Sequence, residues 1–118
     1  MCGVKPAKKK REKPEFWVQK DIVDWFKKEY PNFLIFSVPN EAIYRRREYF
    51  HQLGALSGVS DLIIVTDKRV LFIECKSDTG RQSTEQRQFQ SMVERLDYHY
   101  YIVRSLDQFK QIISNEFN

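Results

Sequence analysis

The chain has 118 residues, 42% hydrophobic, 31% charged and 14% aromatic, with a formal net charge of +4. A chain of this length fits one domain that buries roughly two-thirds of its unfolded surface, so a modest core is feasible without disulfides or a structural metal. A soluble intracellular protein is expected: no apolar run approaches the ~20 residues that span a bilayer, no apolar N-terminal signal stretch is present, and neither the two cysteines nor the two histidines complete a disulfide or zinc pattern.

The charge is unevenly placed. Residues 1–13 carry Lys5, Lys8, Lys9, Lys10, Arg11 and Lys13 against Glu12 alone, a local charge of +5, so the rest of the chain sums to −1. This segment reads as a flexible basic tail, and residues 14–118 as a single folded domain.

Pro14 opens an amphipathic helix from Glu15 to about Tyr30, since proline suits a first helical turn whose N–H groups lack partners anyway. Its apolar stripe is Val18, Ile22 and Trp25, widened by Phe26. Pro31-Asn32 ends the helix, and 33–38 reads as a short buried strand stopped by Pro39. Residues 39–57 hold Arg45-Arg46-Arg47 among Tyr44, Tyr49 and Phe50, and their periodicity does not decide between helix and loop. Next, 61–66 and 70–76 flank the polar break Asp67-Lys68-Arg69, a β-hairpin whose apolar arms suit the middle of a sheet. Ser83 begins a helix with Phe89, Met92, Val93 and Leu96 at 3–4 spacing. His99–Val103 is a strand, and Leu106–Phe117 a closing helix with Phe109, Ile112 and Ile113 inward. The fold class expected is α/β.

The hairpin concentrates the chemistry. With its turn centred between Asp67-Lys68 and Lys68-Arg69, Asp61 lies opposite a residue between Glu74 and Lys76. Alternation along the strand puts Glu74 and Lys76 on one face and Cys75 on the other. Two carboxylates and an ammonium thus converge at one end of an otherwise apolar hairpin, where burial is costly unless they pair or bind metal. A strand-end ion pair is the plain alternative. The functional alternative is phosphodiester hydrolysis: adjacent carboxylates make a hard oxygen site for Mg²⁺ or Mn²⁺, which activates water and the phosphate, with a lysine to stabilise developing charge.

Gly58-Val59-Ser60-Asp61-Leu62, then Phe72-Ile73-Glu74-Cys75-Lys76, then Ser83-Thr84-Glu85-Gln86, resembles the PD-(D/E)xK nuclease superfamily, and most of all its virus-type replication-repair nuclease family, VRR-NUC. The resemblance runs from about Glu15 to Phe109. It implies a restriction-endonuclease-like core, a central mixed β-sheet flanked by helices. It further implies that Asp61, Glu74 and the backbone carbonyl of Cys75 ligate the metal, that Lys76 is the catalytic lysine, and that Gln86 stands beside the site. Ser60 occupies a position where such proteins usually have proline, and the usual glycine before the last strand is absent from Leu96-Asp97-Tyr98-His99.

Glu15 heads the inward stripe of the first helix. Related nucleases often carry a metal-directed glutamate there, although any acid is favourable in a first turn. Glu41 is a weaker candidate, more simply a helix-start acid. For DNA contact the candidates are the dense basic clusters, Arg45, Arg46 and Arg47 with Lys8, Lys9 and Lys10, which give sequence-independent, salt-sensitive affinity. No groove-reading motif is visible, so recognition of DNA structure is expected. Stand-alone members of the family resemble homodimeric junction-resolving enzymes, which implies branched or junction DNA as partner, a role in phage or bacterial replication and repair, and no organic cofactor. Other readings are a flap- or end-processing nuclease, a non-catalytic DNA-binding module of the same fold, and a basic-tailed RNA-binding protein.

Overall fold

The computed structural model describes residues 14–118. The elements run α1 (Glu15–Glu29), β1 (Leu34–Ser37), α2 (Asn40–Arg45), α3 (Arg47–Gln52), β2 (Leu62–Val65), β3 (Val70–Cys75), α4 (Thr84–Arg95), β4 (His99–Val103) and α5 (Leu106–Glu116). The sheet order is β1-β2-β3-β4, with β1, β2 and β3 antiparallel and β4 parallel to β3. The sheet is therefore mixed and flanked by helices, and the apolar hairpin arms do occupy its two central positions. The parallel pair needs a crossover, which α4 supplies.

One face of the sheet is the core. Ile35, Leu62, Ile64, Leu71, Ile73, Cys75 and Val103 meet Val18, Ile22 and Phe26 of α1 and Phe109 and Ile113 of α5. Fully burying a side chain such as Phe26 contributes about 1.5–3 kcal/mol. Trp25 is half-buried and packs edge-on against Phe109, with ring centroids 5.8 Å apart.

The structure resolves three points that the sequence leaves open. The segment left undecided at 39–57 holds two six-residue helices, neither with a buried side chain. Met92 and Leu96 of α4 are exposed, because the helix turns Val93 and Phe89 to the sheet and leaves those two on its flank. The missing glycine before β4 is replaced by Asp97, whose φ of 68° lies in the left-handed region. Asp97 N–H donates to Glu94 O (3.0 Å) and Tyr98 N–H to Val93 O (3.1 Å), a Schellman closure that ends α4 and sets the start of β4. The tail residues Lys8, Lys9 and Lys10 lie outside the described residues.

Candidate active site

The β2–β3 register pairs Leu62 with Ile73, so Asp61, one residue before β2, comes opposite Glu74. The tie is direct: Cys75 N–H donates to Asp61 Oδ2 over 2.9 Å. Ser60, fully buried, holds the approach to β2 by donating its hydroxyl to Leu62 O at 3.2 Å. Serine thus fixes by a hydrogen bond a bend that proline would fix by its ring. Glu15, in the first turn of α1, completes a cluster in which one carboxylate oxygen each from Glu15, Asp61 and Glu74 lie within 4.8 Å of one another. Carboxylates at such spacing repel unless protonated or bridged by a cation, and their hard oxygen donors suit Mg²⁺ or Mn²⁺.

Electrostatics at Glu74 express this conflict. Its side chain is inaccessible to solvent, and its pKa is pushed up to about 9 by burial first, then by Asp61 through charge and a shared hydrogen bond. Lys76 opposes the rise, and Glu15 adds to it. Glu15 is itself shifted upward, by desolvation and by Asp61. The Cys75 thiol points into the core and is pushed well above its usual range by burial and the neighbouring carboxylates. It is an inert filler, and only its backbone faces the site.

Helix α4 delivers the other half of the centre. Ser83 caps it: its hydroxyl accepts from Gln86 N–H (3.1 Å), while Gln86 Oε1 accepts from Ser83 N–H (2.8 Å). That reciprocal box orients the Gln86 amide. Oε1 also accepts from Lys76 Nζ at 3.0 Å, and Nε2 donates to Glu74 Oε1 at 3.0 Å. Lys76 Nζ stands 3.7 Å from Glu74 Oε1 and is mostly buried. Arg104 fastens the loop before α4 by donating to the carbonyls of Ser77, Asp78 and Gly80.

Gly58 is needed for the same assembly. Its φ is +83°, and a Cβ there would lie 2.3 Å from Glu85 O in the first turn of α4. The residue lets the strand approach pass directly beneath the helix start.

Sequence reasoning missed Tyr100 and Gln82. The Tyr100 hydroxyl donates to Glu74 Oε2 (3.4 Å), and Gln82 Nε2 donates to Tyr100 Oη (3.3 Å). Both oxygens of Glu74 therefore receive a donor. The signal lies in the parallel pairing of Phe72 with Tyr100, which puts this tyrosine on the Glu74 face. Nothing local in the chain announces that pairing.

The three arginines part company. Two clefts of about 510 and 690 Å³ meet at Glu15 and Asp61. Arg47 lines the first and Arg45 the second. Arg46 instead caps α3 and stacks over Tyr49, 4.3 Å from the ring centroid. Glu41, in the first turn of α2, lines both clefts but stands outside the three-carboxylate cluster.

A mixed sheet with carboxylates across its central hairpin and a lysine two residues beyond the second acid has the architecture of a restriction-endonuclease-like PD-(D/E)xK core. A family model described as the VRR-NUC domain matches residues 10–107, and the chain belongs to that family. A solved structure named "VRR_NUC domain protein" is similar, at 21% identity over 88% of each chain with a TM-score of 0.70, a likeness of fold. No curated protein gives a match. Among the described residues, no helix is long and apolar enough to cross a membrane.

Proposed function

We propose that this protein is a metal-dependent, structure-selective DNA endonuclease, acting as a homodimer on four-way junctions inside the cell. The observation that carries the reading is the cluster of Glu15, Asp61 and Glu74 within 4.8 Å, with the Lys76 ammonium 3.7 Å from Glu74. Asp61 and Glu74 would hold Mg²⁺ or Mn²⁺ with the Cys75 carbonyl, and Glu15 would close the shell. Bound there, the ion supplies charge to polarise the phosphate and acidify the attacking water.

The chain's own residues do the rest. Gln86 fixes the Lys76 ammonium at the edge of the carboxylates, where its charge stabilises the excess negative charge that develops on the phosphoryl oxygens. Tyr100 and Gln86 hold the Glu74 carboxylate in one orientation, as outer partners of metal-binding carboxylates do. Arg45 and Arg47 line the clefts on either side, placed to grip phosphates flanking the scissile one. A two-fold dimer presents two such centres to the two symmetric strands of a junction.

The test uses labelled four-way junction, flap and linear duplex DNA in Mg²⁺ or Mn²⁺, with sedimentation to give the oligomeric state. Paired symmetric nicks in the junction by a dimer are expected. Cutting confined to flaps or ends, or by a monomer, would replace the resolvase reading with that of an end-processing nuclease.

A further inference from the structure

Away from Arg47 itself, the cleft that this residue lines is ill suited to phosphate. Among the described residues along its walls, Glu15, Glu41, Asp61 and Glu85 face one full cation, Arg47. A polyanion threading it would be repelled except beside Arg47 and a bound metal. Its remaining walls include Ile43, Leu56 and Tyr44, whose ring is largely exposed and has the Arg47 guanidinium 5.6 Å above its centroid. The chamber is also braced. Asn40 Nδ2 donates to Val59 O (3.0 Å), His51 and Ser57 are linked at 3.1 Å, and Gly58 abuts α4. A volume of about 510 Å³ lies within the ~300–1,000 Å³ of pockets that enclose small organic ligands.

We infer that this chamber receives the unpaired base of a nucleotide adjoining the scissile phosphate. A base is flat, uncharged and rich in donors and acceptors, so it suits an acidic, partly apolar chamber that rejects the backbone. Tyr44 offers the stacking face, and Arg47 at the rim takes the phosphate attached to that nucleotide. The inference rests on the nuclease reading and narrows its substrate class. A stacked, paired base cannot enter, so the enzyme selects DNA whose strand is open beside the cut, as at a junction centre or flap base.

Once the cut position is mapped, each nucleotide flanking it is made abasic in turn. Affinity is measured in Ca²⁺ and kcat/KM in Mg²⁺, for wild type, Tyr44→Ala and Tyr44→Phe. At one flanking position the abasic change should cost wild type about tenfold or more, in line with the loss of one base–aromatic stack. Tyr44→Ala should lose a similar factor on intact DNA and nothing further on the abasic DNA, and Tyr44→Phe should keep wild-type behaviour. Independent, multiplying losses, or no abasic effect at either position, would overturn the base chamber while leaving the nuclease intact. Failure to bind and cut any DNA would instead remove the nuclease reading and this inference with it.

Discussion

Gln86 donates its side-chain amide to Glu74 over 3.0 Å while its carbonyl oxygen holds the Lys76 ammonium. One neutral side chain thereby fixes the spacing of an acid and a base that would otherwise collapse together. Replacing it with alanine should lower kcat/KM about 10–100-fold, chiefly through kcat. The same change breaks the cap of α4, which costs about 1 kcal/mol of stability. Gln86→Asn, too short to span both partners, should lose activity similarly, and steady-state kinetics with thermal melts separate the two effects.

Glu74 makes stability and metal affinity depend on pH in opposite directions. Its folded pKa, about 9, lies above the ordinary 4.5, so the metal-free fold binds this proton more tightly than the unfolded chain. That contribution is complete below pH 4.5 and is lost as pH rises through 9. Metal must displace the proton, so Mg²⁺ affinity should rise over the same window. Calorimetry at pH 7 in buffers of different ionisation enthalpy should show release of about one proton. Glu74→Gln should abolish that release and flatten the stability of the metal-free protein between pH 5 and 9.

The divergence of the arginines gives a test by salt. Arg45→Ala and Arg47→Ala should each weaken DNA binding and reduce the slope of log K against log[salt] by about 1. Arg46, stacked on Tyr49, should change the slope little. Equal effects from all three would mean that the clefts do not set the path of the strand.

How much of this was readable in advance follows from the range of each interaction. The Asp61–Glu74 pairing depends only on hairpin arithmetic, and a turn centred at Asp67-Lys68 gives it. The place of Glu15 follows from its spacing to Val18 and Ile22 on one helix. Residues 39–57 were opaque because α2 and α3 bury no side chain, so no apolar periodicity marks them. Tyr100 was opaque for a different reason. Its contact with Glu74 depends on β4 docking parallel to β3 across α4, a non-local event. The exposure of Met92 and Leu96 was not legible, because apolar spacing fixes a stripe's period but not which of its edges meets the sheet.

Asp97 occupies a backbone conformation that suits glycine better. Asp97→Gly should stabilise the fold by about 0.5–1 kcal/mol, since a left-handed φ is costly for a residue with a Cβ. A rise in Tm of a few degrees is expected, with cleavage unchanged, because the turn lies beyond the α4 end opposite Ser83 and Gln86.

The most direct measurement is nicking of a labelled four-way junction by wild type and Lys76→Ala, each in Mg²⁺ and after chelation with EDTA. Cutting by wild type in Mg²⁺, restored when Mg²⁺ is returned after EDTA and at least a hundredfold slower in Lys76→Ala with binding retained, is the predicted result. Cutting that persists in EDTA, or at the wild-type rate in Lys76→Ala, would contradict a metal-and-lysine centre at Asp61, Glu74 and Lys76.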